Sequence, residues 1–424
     1  MPQIVISTRN PSPHTTDHLF RFNLSHLTIE AQLLVLLART SANGTLQVEI
    51  QDRLRDGVDW SVLWSLAESH GAASLVYRML LAHGGDSVPK DVVQTFRRKA
   101  QTNAIVNGLL RDELVTLAET FAAKGIRMIP FKGPTLAIAA YGDLTLREAG
   151  DVDLIVEQSC ITQARQLLWS QGYQFAGKAP SGCDGRDEAV HSFLRRSRSF
   201  RINLQLAMSR GLFSFPLDRE PFWTQLKPVR LGPHTIMALA PEELLIVLCV
   251  SGSMHAWENL KWICDVSELL RRRRTLDWSR VLFLSHALRC RRMLLMGLAL
   301  AHTLFDAPLP RVVQHAIMAD RDVPDLTKAM PRDLLKRRAE GIDGKDAEAL
   351  CLLLKDSWIE QSKYALAICH AADPIVNQSL PWFRLQARLN RLYRLVHPFH
   401  RAAARCLQCF RVGKLLLKWP LAPG

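Results

Sequence analysis

Two aspartates one residue apart, Asp151 and Asp153, close a stretch that leaves few folds open: residues 126–156 read IRMIPFKGPTLAIAAYGDLTLREAGDVDLIV. Side chains alternate across an extended strand, so both carboxylates project to one face while Val152, Leu154 and Val156 take the other. Carboxylates on alternate residues sit about 7 Å apart at their Cα atoms, close enough to share a divalent cation and too close to stay comfortably ionised without one. Upstream, residues 126–131 have the make-up of a short buried strand. Gly133-Pro134 then opens a helix over 135–141, with proline at a first-turn position where its missing N–H costs nothing. Free N–H groups at that helix start, with Lys132 beside them, suit a triphosphate.

Strand, Lys-Gly turn, helix and Asp-x-Asp strand, in this order, resemble the nucleotidyltransferases of the DNA polymerase β superfamily. More narrowly they resemble the family called uncharacterised nucleotidyltransferase, whose pattern is met by Phe131, Lys132, Gly133, Tyr141, Arg147, Gly150, Asp151 and Asp153. The similarity runs from about residue 29 to 305. It implies an α+β fold: a polymerase β-like core with a small mixed sheet, flanked by helical N- and C-terminal regions. It also implies Mg²⁺ (or Mn²⁺) on Asp151 and Asp153, with an NTP held by Lys132, Gly133, Thr135 and Arg147. The reaction would move a nucleoside monophosphate to a hydroxyl or phosphate of a small molecule, peptide or protein.

The chain departs from that pattern at polar positions. A later strand of the family carries an acid and a histidine, and the matching residues here are Asn203 and Gln205. The strand itself is legible: Phe200, Ile202, Leu204 and Leu206 make an apolar face, and Arg201, Asn203 and Gln205 a polar one. An amide oxygen can ligate Mg²⁺ but brings no charge, so the cation is held more weakly and the attacking hydroxyl lacks a base. Residues 248–257 resemble a segment that usually holds two histidines and a lysine; only His255 is kept, with Ser251 and Met254 at the other places. Leu260, Lys261, Trp262, Asp265 and Val266 follow the pattern again.

The expected site therefore has Asp151, Asp153 and Asn203 at the chemistry and Gln205, His255 and Lys261 on the acceptor side. The alternative is a catalytically impaired nucleotide-binding or scaffold protein of the same fold. Asp187 or Glu188, beside a Gly/Ser/Pro-rich loop at 176–187, is a candidate for the missing acid. Read without the resemblance, Arg147 pairs with Glu148 or Asp143, and Tyr141 and Trp257 are packing residues.

Around this core the periodicity is helical, over 27–40, 60–83 and 91–123 on one side and 242–254, 257–270 and 278–304 on the other. The expected division is a flexible lead at 1–23, a helical region at 24–125, the core at 126–237, a helical acceptor-side region at 238–320 and a basic helical region at 321–424. A net charge of +14 falls heavily on the end of the chain. Acids stop at Asp373, while Arg384, Arg388, Arg391, Arg394, Arg401, Arg405, Arg411, Lys414 and Lys418 follow. With Leu385, Leu389, Leu392 and Val396 they form an amphipathic helix. That helix suits an anionic membrane surface or nucleic acid, or else is a solvated face packed on the protein. There is no 18-residue apolar run and no secretory pattern, and the nine cysteines are scattered, so the expectation is a cytoplasmic protein with reduced thiols. Cys406 and Cys409, the one close pair, lack partners at zinc spacing.

Overall fold

The structure, a computed structural model, describes residues 22–176, 189–195, 198–210, 213–336, 344–357 and 360–362. Its helical first part comprises α1 (Ile29–Leu37), α2 (Gly44–Arg55), α3 (Trp60–Ser69), α4 (Ala73–His83) and α5 (Lys90–Ala123). Thr28 and Asn43 cap α1 and α2 by accepting the Ala31 and Leu46 N–H groups at 3.3 and 2.9 Å. Periodicity alone passed over α2, whose apolar positions are sparse. The run at 60–83 is two helices, because Gly71 turns the chain at φ +62°.

Helix α5 joins the two halves of the core. Phe96 near its start is fully buried edge-to-face against Trp64 of α3, with ring centroids 5.0 Å apart. Further along, Leu110, Leu114, Leu117 and Phe121 lie in a second apolar cluster under the sheet. A helix of 34 residues is about 50 Å long, enough to serve both.

The sheet has the order β1 (Met128–Pro130), β2 (Asp151–Val156), β5 (Arg198–Gln205), β4 (Val190–Arg195), β3 (Tyr173–Phe175). Strand β2 runs parallel to β5 and antiparallel to β1, so the sheet is mixed. Two hairpins follow, β6 (Ala207–Arg210) with β7 (Phe213–Pro216) and β8 (Leu226–Leu231) with β9 (His234–Leu239). The link from β1 to β2 is not the regular helix expected over 135–141. A single α turn, α6 (Pro134–Leu136), widens into a π turn over Ala137–Tyr141 that Gly142 ends at φ +74°. Helix α7 (Ile161–Ser170) stops just before Gly172, at φ +83°.

Beyond a short α8 (Glu220–Thr224) the chain is helical: α9 (Pro241–Met254), α10 (Leu260–Arg272), α11 (Trp278–Ala287), α12 (Arg291–Phe305), α13 (Arg311–Ala319), α14 (Val323–Lys336) and α15 (Gly344–Leu353). The helix expected over 278–304 is broken, with Arg289 left-handed at φ +55° between α11 and α12. No described helix is long and apolar enough to cross a membrane. The lead up to residue 21, Asp187 and Glu188, the cysteine pair and the whole basic segment after Asp373 lie outside the described residues.

Trp257 sets the spacing of α9 and α12. Its side chain is fully buried, and a Cβ on Gly252 of α9 or Gly297 of α12 would come within 2.4 and 2.8 Å of its ring. Gly252→Ala should therefore cost about 1–3 kcal/mol by overpacking. Chemical denaturation would measure it, and an unchanged midpoint would show that the indole has room to move.

Candidate active site

The parallel register of β2 with β5 sets Asp153 beside Asn203. Val152 and Leu154 on one strand, and Ile202 and Leu204 on the other, are fully buried on the core face. The opposite face therefore gathers the polar side chains. Asn203 Nδ2 donates to Asp151 Oδ2 at 3.2 Å and to Asp153 Oδ1 at 2.9 Å. Gln205 Nε2 donates to the same Asp153 oxygen at 2.6 Å. Asn203 Oδ1 accepts from Ser192 Oγ of β4 at 2.7 Å.

The Asn203 oxygen, considered above as a weak metal ligand, is turned to Ser192 here, and the amide presents its N–H groups to both carboxylates.

The Lys-Gly bend meets the same two residues. Phe131 N–H donates to the Asp153 carbonyl at 3.3 Å, and Lys132 Nζ lies 3.9 Å from Asp153 Oδ2. Gly133 has φ +60°, and a Cβ there would stand 2.9 Å from the Asp151 carbonyl oxygen, so a side chain would push bend and strand apart. Thr135 is buried and its Oγ1 donates to the Lys132 carbonyl at 2.9 Å, which closes the turn.

Burial, and then the Asp153 charge, raise the Asp151 carboxyl above its usual range; Lys132, Arg147 and Lys261 oppose the shift. Lys261 is itself pushed down by burial and by the Arg147 charge. Its main-chain N–H donates to the His70 carbonyl at 3.2 Å, and its side chain packs against Gly71, where a Cβ would meet its Cδ at 2.8 Å. The turn between α3 and α4 thus seats this lysine. His255 stacks on the next residue of α10, Trp262, with centroids 4.7 Å apart.

Arg147 pairs with neither Glu148 nor Asp143, the partners it is given when read without the resemblance. Its guanidinium forks onto Asp265 of α10, Nε to Oδ1 at 2.9 Å and Nη2 to Oδ2 at 3.1 Å, and Tyr141 Oη donates to Oδ1 at 2.8 Å. Asp143 instead caps Thr145, and Glu148 accepts from Ser74 N–H at the start of α4. Asn107 Nδ2 donates to the Arg147 carbonyl at 2.9 Å and Asn103 Nδ2 to the Thr145 carbonyl at 2.7 Å. Asp265 received no role from the sequence, and Asn103 and Asn107 were not singled out. Two buried amides four residues apart on one helix were the available signal.

Among the described residues, no group of three or more acids, histidines or cysteines gathers at metal distance. Asp151 and Asp153 still fit a cation of the Mg²⁺ type, which binds through one or two carboxylates and completes its shell with phosphate oxygens and water. Burial first, and the Asp153 charge second, raise the Asp151 carboxyl by more than Lys132, Arg147 and Lys261 lower it.

A family model described as uncharacterised nucleotidyltransferase matches residues 56–306, a span that holds every residue of this site. None of the curated proteins compared with the chain matches it.

His70 gives the site's supporting turn a pH dependence. Its Nδ1 accepts the Leu260 N–H at 3.4 Å, and burial lowers the imidazole to about 4. Between its unfolded value near 6.5 and pH 4 the unfolded chain takes up a proton that the folded chain refuses, so stability falls as pH falls. Denaturant titrations at pH 7 and pH 5 should show about 2 kcal/mol less loss in His70→Gln than in the wild type. Equal losses would remove His70 as the cause.

Proposed function

The chain belongs to the uncharacterised nucleotidyltransferase family, and on that premise we propose that it transfers a nucleoside monophosphate from an NTP, with Mg²⁺ or Mn²⁺, to a hydroxyl or phosphate of an acceptor. The observation that carries this reading is the convergence of Asp151 and Asp153 on the Lys132–Gly133 bend. In the proposal the strands β1, β2 and β5 with that bend are a polymerase β-like core.

Asp151 and Asp153 would hold the cation, which when bound withdraws charge from the phosphate oxygens and makes the α-phosphorus easier to attack. Lys132 faces the outer phosphates as a point charge. Gly133 allows bend and strand to touch, and Thr135 locks the bend. Asn203 and Gln205 hold the carboxylates in place with N–H groups. Lys261, within electrostatic reach of Asp151, supplies a second positive charge toward the phosphates or the acceptor, with Trp262 next to it on α10 and His255, at the end of α9, against that indole. Arg147 acts through its charge on Asp151. With an amide at the third position, an acceptor already ionised as a phosphate needs no base, whereas a hydroxyl needs one from elsewhere. The acceptor itself is a small molecule, peptide or protein.

Purified protein given Mg²⁺, an NTP and an acceptor should release pyrophosphate, and Asp151→Ala should lower the rate at least about 100-fold. Equal turnover in that variant rejects the assignment.

A second reading, a nucleotide-binding or scaffold protein, is favoured by the amide donors of Asn203 on both carboxylates. They occupy one oxygen of each carboxylate that a second metal would otherwise meet. Asn203→Asp removes those donors and adds a charge, so calorimetry should show Mg²⁺ binding about tenfold tighter. No change in affinity would mean that this strand does not govern the cation.

A further inference from the structure

Asp265 is 1% exposed and Arg147 7%, and their forked pair is buried between α10 and the segment that leads into β2. Both Asp265 oxygens take guanidinium N–H groups, and one also takes the Tyr141 hydroxyl. Arginine does not give up its proton, so the guanidinium must find a carboxylate. It lies four residues before Asp151, on backbone pinned by Asn103 and Asn107, and the two side chains feel each other's charge.

We propose that Asp265, helped by Tyr141, holds Arg147 away from Asp151 and so keeps the Asp151 carboxylate open for the cation. Asp265 is thus a positioning residue for the metal site, and the inference rests on the reading that Asp151 and Asp153 bind a cation. Without the Asp265 charge, the buried guanidinium has Asp151 as the carboxylate it already senses. An arginine docked there occupies the metal's place and cancels the charge that attracts it. Removing one partner of a buried ion pair leaves the other uncompensated, whereas replacing both with neutral groups of similar size removes that stress. The two cases separate a charge effect from loss of packing.

The test titrates Mn²⁺, followed by electron paramagnetic resonance with and without a non-hydrolysable ATP analogue, into the full chain and three variants. The wild type should bind Mn²⁺ and Asp151→Ala should not. Asp265→Asn should weaken binding at least about tenfold, the scale of a buried charge competing for one carboxylate. Without the ATP analogue, the double variant Arg147→Met with Asp265→Asn should bind Mn²⁺ several-fold more tightly than Asp265→Asn alone, a coupling between the two sites. Thermal melting of each variant confirms that it is folded, and the double variant, with no unpaired charge, tests the idea if the single one melts. Unchanged affinity in Asp265→Asn, or a double variant as weak as the single, overturns the inference while leaving the cation reading intact. A wild type that binds no Mn²⁺ overturns the cation reading, and this inference with it.

Discussion

Two carboxylates on one face of one strand repel each other, and the surroundings of β2 are arranged by how that repulsion is met. Each added charge in a half-buried setting is worth several kcal/mol at about 4 Å, so neighbours cannot be chosen freely. Asn203 and Gln205 answer with N–H groups, Lys132 with a cation from the bend and Lys261 with one from α10. The core face of β2 leaves no freedom to turn the aspartates elsewhere, because Val152 and Leu154 are fully buried and a one-residue slip would exchange the two faces.

The N-terminal helices are part of this arrangement. The segment from Gly142 to Gly150 carries no regular structure of its own, and the helices hold it through its carbonyls and side chains. Helix α5 supplies Asn103 and Asn107, the start of α4 takes the Glu148 carboxylate, and α10 receives Arg147 on Asp265. Glu148 stands where a capping side chain would, since α4 has no side-chain cap of its own. Three helices distant in sequence thus determine where the first aspartate of β2 begins.

Much of this was legible in the sequence, for identifiable reasons. Alternation of apolar and polar residues revealed β2 and β5, because burial on one face enforces a period of two. The Lys-Gly-Pro bend was legible because glycine and proline report backbone conformation directly. Helix breaks at Gly71 and Arg289 and the π turn over Ala137–Tyr141 were not, since apolar periodicity continues across them. The partner of Arg147 was hidden for a different reason: Asp265 lies 118 residues away, and nothing local distinguishes it from Asp143 or Glu148.

The sequence by itself determined which residues could carry charge at the site and which faces of their strands they occupy, because side-chain alternation and backbone preference are local properties. It also carried the family, through motifs that lie close together in the chain. The tertiary structure decided who neutralises whom: that Asn203 donates to the aspartates, that Lys261 reaches them from α10, and that Arg147 is held by Asp265. Electrostatic pairing depends on distance through space, and in a folded chain that distance bears no fixed relation to separation along the sequence.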